Sequence, residues 1–187
     1  MPGLAVFAPP QPGRRYVLGA DPAEGNPTSD DSALGVLDAD TGEQVAELAG
    51  KFEPALFACY AHQLAVWFNK AGVLVERNNP GHAVLLWLRD NGRGVQLLPG
   101  HDNKPGWLSS TLGKTQLYDR CADGFKDSEV TLHSFATFTQ LAAIDGSTLR
   151  APEGEHDDRA DAFALACMAR AAPRTVLWFR IGGETIM

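Results

Sequence analysis

The stretch HDDRADAFALACMARA, residues 156–171, opens with three aspartates and then becomes almost wholly apolar. This pattern predicts a buried helix whose first turn is acidic. Each aspartate alone could cap the helix or interact favourably with its dipole. Residues three and four apart share a helix face, so Asp161 can align with Asp158 or Asp157. Several carboxylates at the start of a helix that packs in the core are unusual and need a separate explanation.

Two further acidic residues end predicted strands. RRYVLGADPA (14–23) reads as a buried strand that closes at Asp21, and VLVERNN (73–79) reads as a second one that closes at Glu76. If these strands lie side by side and parallel, their carboxyl ends bring the two acids together. Ligands of open α/β sheets bind at that edge.

The remaining elements predict a mixed α/β sheet with helices on both faces. A hairpin is expected around Asp40-Thr41-Gly42, and further strands at 95–100 and 130–134. Helices are expected at 54–72, 79–92, 115–124, 135–144 and 156–171. Residues 1–13, with four prolines and two glycines, predict a flexible arm; 14–173 would form the domain, and the apolar 174–187 a C-terminal strand or docking tail.

Composition narrows the class of protein. The net charge of −7 argues against a nonspecific, high-affinity nucleic-acid binder, although the metal site of a nuclease also concentrates carboxylates. The three cysteines are widely spaced without a CxxC pair, which favours reduced thiols over disulfides or zinc. The N-terminus is a poor signal peptide and no apolar run approaches the roughly 18 residues of a membrane span. We therefore expect a cytoplasmic protein without a membrane partner.

The acidic residues predict a metal site rather than a set of surface charges. Carboxylates that converge in one pocket repel each other unless a cation neutralises them. Oxygen ligands without histidine or thiolate at metal spacing favour Mg²⁺ or Mn²⁺. Two such ions, roughly 4 Å apart, can support hydrolysis of a phosphodiester. The candidate ligands are Asp21, Glu76, Asp157, Asp158 and Asp161.

The order of these motifs resembles the ribonuclease H-like nuclease superfamily. More specifically, it resembles the C-terminal nuclease domain of the large terminase subunit of tailed bacteriophages. Four segments carry it, within residues 16–170: GADPAEG, VLVERNN, GWLSSTLGKTQLYD (106–119) and GEHDDRADAFALA. The third is similar to a Gly-aromatic-x-Ser/Thr stretch with a following lysine, and the fourth to a closing His-Asp-Asp helix.

The resemblance implies that Asp21, Glu76 and Asp158 are the catalytic metal ligands, with Asp157 as an adjacent candidate. The sequence departs from many terminases at Asp161, where an apolar residue is common. The spacing of Asp158 and Asp161 is instead similar to the final acidic pair of Holliday-junction resolvases. Which of the three aspartates binds the second ion is therefore open.

The resemblance also implies an activity and partners. It implies a metal-dependent DNA endonuclease that cuts double-stranded, concatemeric viral DNA during genome packaging, with the terminase ATPase domain, the small terminase subunit and the portal or procapsid as partners. The ATPase is absent from this sequence: GKT at 113–115 is not a phosphate loop, because Leu108 stands where that motif needs glycine.

Candidate contacts to DNA are the basic residues near the motifs, namely Arg77, His101, Lys104, Lys114, Lys126 and His156. His156 could instead orient a carboxylate. Two alternatives remain. One is a junction resolvase or transposase-like nuclease of the same fold. The other is a non-catalytic module that docks on a procapsid or motor partner, which the apolar run 176–181 would favour.

Overall fold

The computed structural model describes residues 1–172, which form a six-stranded sheet and five helices. The strands are β1 (Leu4–Val6), β2 (Tyr16–Asp21), β3 (Ser32–Asp38), β4 (Gln44–Gly50), β5 (Gly72–Val75) and β6 (Gln96–Leu97). The helices are α1 (Pro54–Trp67), α2 (Asn79–Asn91), α3 (Thr111–Lys126), α4 (Phe135–Ala143) and α5 (Asp158–Ala171). The predicted tail 174–187 lies outside the described residues.

The sheet has the order β1-β4-β3-β2-β5-β6. Strands β1 to β4 pair antiparallel, whereas β2 pairs parallel with β5, and β5 with β6. In the β2–β5 register Ala20 lies opposite Val75, and the Glu76 amide donates to the Ala20 carbonyl at 2.7 Å. The carboxyl ends of β2 and β5 therefore meet at one edge, as the sequence predicted.

Helices cover both faces of the sheet, which confirms the predicted fold class. Side chains alternate along a strand, so Leu18 packs with the α1 and α2 side chains, whereas Val17 packs with those of α3 and α5. The same alternation turns Gly19 and Asp21 toward α5. No helix of residues 1–172 is long and apolar enough to cross a membrane.

Helix α5 lies directly on β2 at Gly19. A Cβ atom built at Gly19 would lie 2.1 Å from the Ala162 carbonyl oxygen and 2.3 Å from the Ala166 amide nitrogen. Only glycine leaves room for this approach. The small alanine side chains of α5 also allow its backbone to lie close to the sheet. The close contact brings the first turn of α5 to the strand ends that carry the other acids.

Two segments differ from the sequence-based expectations. The predicted arm 1–13 contains β1, because Leu4 to Val6 pair with Leu48 to Ala46 of β4; this pairing partner is distant in the sequence. The strand expected at 130–134 is reduced to one bridge between Thr131 and Glu43, since Ser134 already caps α4.

Helix lengths also differ. Helix α3 begins at Thr111 rather than 115, because the Ser110 hydroxyl accepts a hydrogen bond from the Gly113 amide and caps it there. Helix α1 ends at Trp67 rather than 72, because Asn69 and Lys70 adopt left-handed backbone angles that no helix continues.

Candidate metal centre

Three elements bring four buried carboxylates to one edge of the sheet. Asp21 is the last residue of β2, Glu76 follows β5, and Asp158 and Asp161 lie in the first turn of α5. Each has a relative exposure of 9% or less. Buried carboxylates without compensation are costly, which makes this cluster the strongest candidate for a cation site.

Asp21 and Glu76 lie next to each other at the carboxyl ends of the paired strands β2 and β5. Burial raises the pKa of Asp21 well above its ordinary value, and the charges of Glu76, Asp161 and Asp158 raise it further. A divalent cation would remove the repulsion among these acids.

Asn78 fixes Glu76 and joins the two strand ends, a role that the sequence analysis missed. Its side-chain amide donates to Glu76 Oε2 at 2.5 Å and to the Pro22 carbonyl at 3.2 Å. Its carbonyl oxygen accepts from the Gly81 amide at 2.7 Å, which caps α2. The Asn-Asn-Pro sequence signals the cap, but nothing local signals the bond to Glu76.

Replacing Asn78 by Ala is expected to lower the free energy of unfolding by about 1 kcal/mol through the lost cap. Because Glu76 also loses its orienting donor, cleavage should fall by about 10-fold or more. Urea unfolding and a DNA cleavage assay measure the two effects. Ser110→Ala is the matched control, since it removes the cap of α3 without touching Glu76. Equal cleavage by both variants would contradict the role given to Asn78.

The first turn of α5 is capped by another helix rather than by its own aspartates. Asp157 occupies the capping position without a side-chain cap bond, and its Oδ2 accepts from the Ala151 amide at 3.2 Å. Gln140 of α4 instead accepts from the amides of Arg159 at 2.7 Å and Ala160 at 3.3 Å. Gln140 thus takes the capping role that the Asp157 side chain would otherwise fill.

Asp158 lies beside two exposed residues, His156 and Asp30. Burial raises its pKa to about 6, the Asp30 carboxylate adds to the rise, and the Asp31 amide and His156 oppose it. His156 Nδ1 lies 3.7 Å from Asp158 Oδ2 and 3.9 Å from Asp30 Oδ1, with its side chain 57% exposed. The histidine therefore lies outside the cluster, next to one of its acids. The sequence analysis missed Asp30, which an exposed loop contributes.

Asp161 differs from the other acids, because protein groups engage both of its oxygens. Lys114 Nζ lies 2.7 Å from Oδ2, and the Tyr118 hydroxyl donates to Oδ1 at 2.5 Å. Burial raises the pKa of Asp161, and Lys114 counteracts that rise. Lys114 Nζ also lies 3.9 Å from Asp157 Oδ2. Tyr118 was missed by the sequence analysis.

The basic residues predicted to contact DNA do not form one strip. Arg77 is 10% exposed and its guanidinium pairs with Asp102 at 2.5 Å, while Lys114 points into the acidic cluster. The His101 ring packs edge-on against Trp107. Lys104 and Lys126 are exposed, but Lys126 lies about 18 Å from Lys114 along α3, given 1.5 Å per residue. The predicted DNA contacts of these residues stay a prediction.

The donor set fits a hard divalent cation. It consists of buried carboxylate oxygens without a thiolate, and such oxygens suit Mg²⁺ or Mn²⁺. Among residues 1–172 no three acidic, histidine or cysteine side chains are already arranged around a common point.

The raised pKa values predict how stability varies with pH in the metal-free protein. Asp158 has a pKa of about 6 in the folded state, against about 4 in an unfolded chain. The folded state thus binds more protons in this window, so stability falls as the pH rises from about 4 to 6. Thermal melting in EDTA measures the fall. Asp158→Asn should flatten it, and an equal slope in this variant would assign the effect to other groups.

Solved structures with a similar fold identify this architecture. No model of a protein family and no curated protein matches the chain. The large terminase nuclease of thermophilic phage G20c with bound magnesium superposes with a TM-score of 0.74 at 22% identity, over 90% of this chain and 88% of that one. Its cobalt-bound structure gives the same values. The large terminase nuclease domain of Thermus phage P74-26 gives a TM-score of 0.68 at 21% identity, over 89% and 85%. The chain therefore has the ribonuclease H-like fold of the large terminase nuclease domains of thermophilic phages.

Proposed function

We propose that this protein is a divalent-metal-dependent endonuclease that hydrolyses phosphodiester bonds of double-stranded DNA. The observation that carries the proposal is the convergence of Asp21, Glu76 and Asp158 at one edge of the sheet, buried and mutually repelling. The likeness to nuclease domains solved with magnesium and cobalt supports it.

Each residue of the site would have a separate role in binding the metal. Asp21, Glu76 and Asp158 would hold the metal, which when bound acts as a Lewis acid and lowers the pKa of water. Asn78 holds Glu76 in one orientation through the bond at 2.5 Å. Gln140 satisfies the amides at the start of α5 and so fixes the turn that carries Asp158.

We further propose the packaging role that the resemblance implies. The chain would cut concatemeric viral DNA in the host cytoplasm, with an ATPase motor, a small terminase subunit and the portal as partners. The net charge of −7 supports dependence on such partners, since the domain alone should bind DNA weakly and in a salt-sensitive manner.

A junction resolvase is the second candidate, because Asp161 joins the site three residues after Asp158, as in the acidic pair of those enzymes. Fluorescently labelled linear duplex and a four-way junction with the same arms separate the two functions. We expect cleavage of the linear duplex in Mg²⁺ or Mn²⁺ and none in EDTA. Cleavage of the junction alone would favour the resolvase. A folded protein that cuts neither substrate with any metal would contradict the proposal.

A further inference from the structure

The four buried acids of the site fall into two classes. Glu76 accepts from the Asn78 amide and Asp158 lies 3.7 Å from the exposed His156, but within residues 1–172 neither of them, nor Asp21, pairs with a lysine or arginine. Asp161, in contrast, gives one oxygen to Lys114 and the other to Tyr118. Asp161 is also the position at which this sequence departs from the pattern it otherwise resembles. The role of Asp161 therefore depends on its two partners, Lys114 and Tyr118.

Two carboxylates and a fixed helical turn hold the Lys114 ammonium in place. Its side chain is 19% exposed and lies between Asp161 at 2.7 Å and Asp157 at 3.9 Å. Trp107, itself buried, donates to the Gly113 carbonyl at 3.2 Å and fixes the turn of α3 that carries the lysine.

We propose that Lys114 is a positioning residue that serves as a built-in cation on Asp161, so that the centre takes one divalent ion rather than two. The inference rests on the proposed function and concerns the metal count of that same site. The single ion would be held by Asp21, Glu76 and Asp158. Lys114 would provide the positive charge that a second ion supplies in a two-metal site.

Lys114 and a second divalent ion would compete for the same carboxylate oxygens, and this is why we expect only one ion. A second ion needs carboxylate oxygens beyond those of the first, and on α5 these are offered by Asp161 and by Asp157 just before it, which both face the Lys114 ammonium. To reach them it must displace the Lys114 ammonium and the Tyr118 hydroxyl, and it meets a like charge as it approaches. Neutralising Lys114 removes the charge and frees Asp161 Oδ2, which opens the second position.

Counting bound Mn²⁺ tests this without reference to cleavage. Mn²⁺ is titrated into the full chain without DNA, and the electron paramagnetic resonance signal of free Mn²⁺ gives the number bound. We expect one ion per chain for the parent and two for Lys114→Met, whose side chain has similar length and no charge. Lys126→Met, at the exposed end of the same helix, should still bind one.

Two further variants separate charge from packing. Tyr118→Phe keeps the lysine and should bind one ion. The double variant Lys114→Met, Asp161→Asn removes the freed carboxylate as well and should also return to one. Two ions on the parent chain overturn the proposal. This result does not depend on whether any variant folds. One ion on a folded Lys114→Met chain overturns it as well.

The outcomes distinguish this inference from the proposed function. One ion on the parent and two on Lys114→Met, without cleavage of any DNA, would support the metal count and overturn the nuclease. Two ions on the parent with cleavage would support the nuclease and overturn the role of Lys114. A parent chain that binds no Mn²⁺ would overturn both.

Discussion

Replacing Asp21 by Asn is expected to lower DNA cleavage by more than about 100-fold. Loss of a mere outer-shell partner of a metal ligand costs about 10- to 100-fold, so loss of a ligand should cost more. The asparagine has nearly the same shape, but it lacks the charge that would attract the cation. Initial rates of plasmid nicking in Mn²⁺ measure the effect.

The same substitution should not weaken the metal-free fold, and this separates a functional acid from a structural one. Burial and the neighbouring acids raise the pKa of Asp21, so its charged form opposes folding at neutral pH. The Asp21→Asn substitution removes that penalty, and the melting temperature of the variant in EDTA at pH 7 should equal or exceed that of the parent. Lower stability together with lower activity would indicate that Asp21 supports the fold.

A matched control comes from the other end of the same strand pair. Asp38 is also buried, with 6% exposure, but it lies opposite Tyr16 at the far end of β2 and accepts bonds from the Asp40 and Thr41 amides. Asp38→Asn should therefore leave cleavage unchanged. A comparable loss of cleavage in both variants would contradict the placement of the site at the edge of Asp21.

Replacing Gly19 by Ala is expected to cost about 3 kcal/mol of stability, the upper end of overpacking penalties. The new Cβ would meet backbone atoms of Ala162 and Ala166 at 2.1 and 2.3 Å, and neither can turn away as a side chain would. Helix α5 must then move off β2 and carry Asp158 away from Asp21. Urea unfolding measures the loss of stability, and plasmid nicking should fall with it.

Gly35→Ala is the control for Gly19→Ala. Gly35 is the register partner of Gly19 on β3, and a Cβ there lies 3.3 Å from the Ala162 oxygen, a distance that a small shift relieves. We expect a change of less than about 1 kcal/mol for this variant, since removing a glycine also favours the strand. Similar losses at both positions would mean that the contact between α5 and β2 is not the cause.

The sequence predicted the features that depend on neighbouring residues. Asp21 and Glu76 could be found because each ends a short apolar run, and Asp158 because an acidic turn precedes an apolar helix. Their convergence required only that β2 and β5 run parallel, which the structure confirms.

Contacts between residues that are far apart in the sequence could not be predicted. Lys114 and Asp161 are 47 residues apart, so no local pattern in the sequence could show that this lysine pairs with an acid of the site. Gln140 caps α5 from a helix 19 residues upstream of Arg159, and no capping pattern spans that distance. The prolines and glycines of 1–13 concealed β1, because its pairing partner is β4.

Supercoiled plasmid incubated with the parent chain and with Asp158→Asn, in Mg²⁺, Mn²⁺, Ca²⁺ or EDTA, tests the central claim most directly. We expect nicking and linearisation by the parent in Mn²⁺ or Mg²⁺, none in EDTA, and a loss of both products in the folded variant. Equal cleavage by the two proteins, or cleavage that persists in EDTA, would contradict a metal-dependent nuclease built on the acids of β2, β5 and α5.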